Sequence, residues 1–221
     1  MPRRNRSANE IVEMALRGCH VAIDASHNLT DLIETWSSAA FVEIRRCELE
    51  LDTIESQIDD SITQAITRVT EPTARKLLAC VKISTDVERI GDLLWWSAQR
   101  LKRDIRPNSV AEVDRADLRQ ISIVLEEMLR QIVDSFLARD DASARMVMRR
   151  DGEIDNLRRN IFNRRLHATQ DEPGSTDVVL VAQALERAGD HIKNLAEAVL
   201  HLTEGRSMLH KARGRLEGMG A

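Results

Sequence analysis

The feature that most constrains this chain is an internal repeat. Glu88-Arg89-Ile90-Gly91-Asp92 returns ninety-eight residues later as Glu186-Arg187-Ala188-Gly189-Asp190. At the same offset Val87 answers to Leu185, Leu94 to Ile192, Ala98 to Ala196 and Leu101 to Val199, with no gap. Self-similarity at a fixed period means that one supersecondary unit has been built twice, so the fold is to be sought in a unit of about half the chain.

Neither copy contains a proline or a cluster of turn residues, and the apolar positions around each recur at spacings of three and four. This is the period of an amphipathic helix. On a helix, residues four apart share a face. Glu88 and Asp92 therefore point the same way, as do Glu186 and Asp190. Two like charges at that spacing cost about 0.2–0.5 kcal/mol, and a glycine inside a helix costs roughly 1 kcal/mol relative to alanine. A chain that accepts both costs twice, in register, has a use for them. Glycine lets another backbone or an ion approach the helix closely, and a carboxylate pair suits a hard cation.

The rest of the chain divides around these two helices. From Ser7 to Thr70 there is no proline and one glycine, Gly18, a span too long for one ordinary helix. Ser37-Ser38 is the best break, and it corresponds to Asp140-Asp141 in the second half. A first helix is expected over about Ala8 to Thr35, with Ile11, Ala15, Ala22, Leu29 and Leu32 inward. A second is expected over about Ala39 to Val69, with Leu49, Ile54, Ile58, Ile62 and Ile66 inward. Pro72 opens a third helix, which carries the first motif to about Arg103. Pro107-Asn108-Ser109 reads as the linker, with Ser109 and Glu112 as a capping box. A fourth helix follows, with Val113, Leu118, Ile121, Leu125, Leu129 and Ile132 inward. The fifth spans about Ala142 to His167. Asp171 to Ser175 is a loop ending in a helix cap, and the sixth helix carries the second motif to near Gly205. The expected fold is all-α: two tandem three-helix bundles, over 7–105 and 109–205, with a frayed Gly- and Arg-rich tail over 206–221.

The second helix of each half adds to the acid pattern. Glu48 and Asp52 are four apart, and Asp151 and Asp155 match them. Five acid pairs at this spacing occur in the chain, about what chance gives, but four of the five stand at matching positions of the two halves. If the two helices of a half face each other, four carboxylates converge. They cannot all stay ionised at low dielectric without a counter-charge, and a bound multivalent cation supplies one. Carboxylate-only donors favour Mg, Ca, Mn or Fe over Zn. His191 follows Asp190 but lies about 100° away around the helix, which makes it a supporting or surface residue. A ferritin-like di-metal oxidase would need Glu-x-x-His pairs, and the sequence has none. No nucleophile–base arrangement or phosphate-cradling glycine loop is visible, so the reading is not an enzyme.

Composition narrows the partners. The net charge of −4 speaks against a general nucleic-acid binder. No apolar run approaches the ~20 residues of a membrane span, so no membrane insertion is expected. Cys19, Cys47 and Cys80 lack metal-type spacing and are odd in number, which points to reduced thiols and a cytoplasmic protein. Aromatic residues make up only 3% of the chain, so Leu, Ile, Val, Ala and Met must form the core. Trp36, Trp95 and Trp96 are expected at core or interface positions.

Two stretches, Lys82 to Asp92 and Leu185 to His191, resemble the two signatures of the PhoU family, regulators of bacterial phosphate uptake. The second continues with Asn194, Ala196, Glu197 and the Leu202-to-Gly205 ending, as in that family, and the resemblance covers about Ile11 to Gly205. It implies carboxylate metal clusters on the bundle faces, carried here by Glu48, Asp52, Glu88, Asp92, Asp151, Asp155, Glu186 and Asp190, with Fe, Mn, Mg or Zn as the cation. It also implies a negative regulatory role when phosphate is plentiful, linking the ATPase subunit of the phosphate ABC transporter to a sensor histidine kinase. A homodimer is expected. The alternative is a paralogue or helical scaffold accessory to another phosphate transporter, without kinase signalling. The chain departs from the family pattern in three places. The stretch after Pro72 is shortened, Trp95-Trp96 replaces polar residues including the Asn kept as Asn194, and Asp151 stands where the first half has the longer Glu48.

Overall fold

The structure, a computed structural model, describes residues 6–105, 110–138, 140–167 and 176–204. These form six long helices and, among the described residues, no strand. Helix α1 is Ala8–Thr35, bounded as the sequence suggests. Ser7 and Glu10 form its capping box: the Glu10 N–H donates to Ser7 Oγ at 3.3 Å, and the Ser7 N–H to Glu10 Oε2 at 2.7 Å. It ends at Trp36, held in the left-handed region at φ 56°, whose N–H returns to the Leu32 carbonyl at 2.9 Å. That reversal, followed by Ser37 as the next cap, lays α2, Ser38–Ala65, back along α1.

Helix α2 stops earlier than the expected Val69, because the chain tightens into a 3₁₀ turn over Ile66–Arg68. Helix α3, Glu71–Asp104, starts with Pro72 in its first turn. In the second half α4 is Glu112–Ala138 and α5 is Asp141–Leu166, capped by the Asp140 side chain. Helix α6 is Thr176–Glu204. The caps expected at Ser109 and Ser175, and the tail, lie outside the described residues.

Within each half the three helices pack on one another. The halves then join through two pairs of equivalent helices, α1 on α4 and α3 on α6. One continuous apolar core runs through both. Leu49 and Val113, expected inward, are instead about half exposed, at 49% each. The inward stripe of α2 is Ile44, Cys47, Leu51, Ile54 and Ile58, at spacings of three and four, and Leu49 lies off it. Val113 sits in the first turn of α4, before the helix reaches the core.

The two seams are not purely apolar. Between α1 and α4, Thr30 Oγ1 lies 3.0 Å from Ser122 Oγ, which donates to the Ser26 carbonyl at 3.0 Å. All three residues are buried. Between α3 and α6, Asp86 Oδ1 lies 2.8 Å from His191 Nδ1 and accepts from Asn194 Nδ2 at 3.2 Å. Further along, Arg100 pairs with Asp177. His191 is therefore a tie between the halves, a role its position beside the motif does not suggest. Since 86 meets 191 and 100 meets 177, α3 and α6 run antiparallel.

Candidate cation site on the first bundle

The site begins with a glycine. A Cβ placed on Gly91 would come within 2.5 Å of Leu51 Cδ1. Leu51 is 2% exposed, so the missing side chain of Gly91 is the seat of Leu51. The close approach at this glycine is thus made by a side chain of α2, not by the backbone or ion that the sequence suggests. Leu51 precedes Asp52, and Gly91 precedes Asp92, so this contact fixes the register of α2 against α3 and sets the two aspartates side by side. Gly91→Val is expected to destabilise the fold by about 1–3 kcal/mol through overpacking, and to spread the acids apart. Chemical denaturation checks the first effect and a cation titration the second.

With that register, one carboxylate oxygen from each of Glu48, Asp52 and Asp92 lies within 4.8 Å of the other two. A cation with metal–oxygen bonds of about 2.1–2.5 Å holds its ligand oxygens roughly 3–5 Å apart, so the trio has the spacing of a site. Glu48 is nearly buried and Asp52 is exposed, so the face is open to solvent on one side. Glu48 is held by Arg45 Nη1 at 2.5 Å. Asp92 accepts from Arg89 Nη1 at 3.2 Å.

Glu88 stands beside the trio. Its Oε2 is buried and makes no hydrogen bond, although Arg89 Nε lies 3.3 Å away. Burial, and then the neighbouring Asp92 charge, push the Glu88 carboxyl up from about 4.5 to about 7, against the opposing pull of Arg89. Burial also raises Glu48, opposed by Arg45 and reinforced by Asp52 and Asp92. An orphaned carboxylate oxygen among crowded acids fits a site meant for a positive charge. Such a group has a pH signature. The folded state holds the Glu88 proton more tightly than the unfolded chain, so without a cation stability falls as pH rises from about 4.5 to about 7. Allowing for partial solvation, that fall amounts to about 1–2 kcal/mol. Glu88→Gln should remove it. Denaturation in chelator at pH 5 and pH 8 checks this: the variant gains on the wild type at the higher pH, and an unchanged gap would contradict the assignment.

The second bundle presents Asp155, Glu186 and Asp190 on the equivalent helices, and the Asp151 side chain lies outside the described residues. Among the described residues these acids do not close into a ligand-spaced group. Asp190 Oδ1 is instead held by Lys193 Nζ at 2.7 Å. The repeat position of Lys193 in the first half is Trp95, which packs on Phe41 with ring centroids 4.9 Å apart and lies under the Arg45 guanidinium at 5.2 Å. On the first face Asp92 stays within ligand spacing of Glu48 and Asp52 while accepting from Arg89, whereas Asp190 on the second is held by Lys193 away from any such group among the described residues.

Comparison with known proteins agrees with this architecture. The PhoU domain model matches residues 16–101 and again 118–199, one copy on each bundle. The chain belongs to the PhoU family. Among its relatives are a phosphate-specific transport system accessory protein PhoU homolog from Xylella fastidiosa strain 9a5c, 29% identical over 93% of this chain and 86% of that protein. The homolog from Zymomonas mobilis is 30% identical over 75% of this chain and 72% of its own length. The PhoU crystal structure from Pseudomonas aeruginosa superposes with a TM-score of 0.80 over 90% of this chain and 97% of that one, at 19% identity. The PhoU structure from Streptococcus pneumoniae, described as a phosphate transport system regulatory protein, gives 0.76 over 90% and 96%. The chain therefore has the PhoU fold, and no described helix is long and apolar enough to cross a membrane.

Proposed function

We propose that this protein is a non-catalytic adaptor of phosphate homeostasis. When phosphate is plentiful it holds down both phosphate uptake and the starvation response. In this reading it works in the cytoplasm, as a homodimer, between the ATPase subunit of a phosphate ABC transporter and a sensor histidine kinase. A multivalent cation such as Fe, Mn or Mg sits on the Glu48, Asp52 and Asp92 face, with Glu88 beside it. Asp151, Asp155, Glu186 and Asp190 form a weaker counterpart on the second bundle. The observation that supports it most is the double family match, one on each bundle, in a chain that aligns over 86% of the Xylella homolog's length.

The cation would neutralise the converging carboxylates and tie α2 to α3, stiffening the face a partner meets. The protein's own residues supply the rest: Gly91 and Leu51 set the register, and Arg45 and Arg89 orient the acids.

The test is a phosphate-starvation reporter in a deletion strain grown with ample phosphate. The deletion is expected to switch the reporter on, and the wild-type gene to silence it. Asp52→Asn/Asp92→Asn should silence it incompletely. A reporter that stays off in the deletion strain would overturn the signalling role and leave the accessory-scaffold reading, in which the chain serves another phosphate transporter without kinase signalling.

A further inference from the structure

The repeat gives the α3–α6 seam two edges, related by an internal two-fold. A contact between residues of α3 and α6 on one edge has a mate on the other, found by exchanging positions at the ninety-eight-residue offset. The pair Asp86 and His191 maps onto Ala184 and Leu93. The pair Asp86 and Asn194 maps onto Ala184 and Trp96. The first edge is zipped shut by its polar set. The second has lost the acid, the imidazole and the amide together. What stands there is an open groove of about 510 Å³, lined by Leu93, Trp96, Gln183, Ala184 and Arg187, with Asp92 at one end.

The groove is built from ordered parts. Trp96 is 37% exposed, and its ring lies under the Arg100 guanidinium at 4.8 Å. Arg100 is in turn held across the seam by Asp177. Arg187 makes no ion pair or hydrogen bond among the described residues. Its repeat mate Arg89 meets both Glu88 and Asp92. An exposed tryptophan beside an unpaired arginine is the composition of an interface hot spot.

We propose that this groove is the docking site for an amphipathic helix of the phosphate transporter's ATPase subunit. It takes apolar side chains one turn apart over Leu93, Trp96 and Ala184, and a carboxylate at the end toward Arg187. Length supports a helix. The lined part of α3 runs from Asp92 to Gln99, about 10 Å at 1.5 Å per residue, or two turns of a docked helix with anchors at i, i+4 and i+7. Charge supports the acid. Among the described residues Arg187 is the unpaired positive group at the rim. A free phosphorylated ligand fits less well, because the groove's middle is apolar.

The inference rests on the adaptor reading, and the test separates the two. The probe is the purified ATPase subunit of the phosphate transporter from the same source, titrated calorimetrically into the full chain. Two variants are compared with the wild type. Leu93→His/Trp96→Asn/Ala184→Asp copies the closed edge onto the open one, a set the fold already accommodates. Arg187→Glu reverses the rim charge on an exposed side chain. Both are expected to bind at least tenfold more weakly, with unchanged helix content and melting. If the wild type binds and both variants bind within twofold of it, the groove assignment is overturned and the adaptor reading survives. If the wild type does not bind the ATPase at all, the adaptor reading fails and the groove proposal fails with it.

Discussion

Asp114→Ala is expected to destabilise the protein by about 3–5 kcal/mol, the cost of breaking a buried charge network by removing one partner. Asp114 is 0% exposed near the start of α4. Its Oδ1 accepts from Arg164 Nε at 2.7 Å, and its Oδ2 lies 2.6 Å from Arg165 Nη2. Arg164 also reaches Asp117 on the same helix. One carboxylate thus closes the end of the second bundle by tying the start of α4 to the last turn of α5. Its loss leaves two guanidiniums, 30% and 12% exposed, short of their counter-charge. For a chain of this size the loss amounts to a fall on the order of 10 °C in melting temperature. Thermal melting measures it. A change under about 1 kcal/mol would mean that water or Asp117 takes over the arginines.

Asp52→Asn/Asp92→Asn is expected to act with the opposite sign. These acids crowd one another and Glu48 within ligand spacing, and removing two of the charges relieves repulsion that Arg45 and Arg89 offset only in part, so without a cation the variant should melt no lower than the wild type. The difference should appear on adding the ion. A ligand that binds only the folded state stabilises it by about 2.7 kcal/mol at a hundred times its dissociation constant. The wild type should gain on that order in millimolar MnCl2, and the variant almost nothing. Melting with and without the ion measures both effects. The sign separates the two kinds of acid: carboxylates that hold the fold lower stability when removed, whereas carboxylates assembled for a ligand do not until the ligand is present.

The sequence made the helices and the repeat legible because both are periodic. The bounds of α1 follow from Ser7, Glu10 and the Ser37-Ser38 break, and the acid pairs stood out because they recur in register. Leu49 misled because its side chain is apolar while the buried stripe of α2 passes through Cys47 and Leu51. Apolar character alone does not place a residue on the stripe. The role of Gly91 was half legible: the sequence required a close approach, but nothing local said that Leu51 makes it. The inequality of the two acid faces turns on Lys193 beside Asp190 and on Trp95 beside Arg45, contacts that depend on rotamer and neighbour. The tie from His191 to Asp86 joins residues 105 apart in different bundles, beyond the reach of helical periodicity. That the two edges of the α3–α6 seam differ is written in three exchanges at the ninety-eight-residue offset, Asp86 against Ala184, Leu93 against His191 and Trp96 against Asn194, but only the Trp95-Trp96 departure stands out before the seam is known.

Calorimetric titration of the chelator-treated protein with MnCl2 decides whether the first acid face holds a cation. Three proteins are compared: the wild type, Asp52→Asn/Asp92→Asn and Asp155→Asn/Asp190→Asn. One stronger site per chain is expected in the wild type, retained when the second face is changed and weakened at least about 100-fold when two of its three ligands are removed. A wild type that takes up no cation, or a first-face variant that binds as the wild type does, would contradict it.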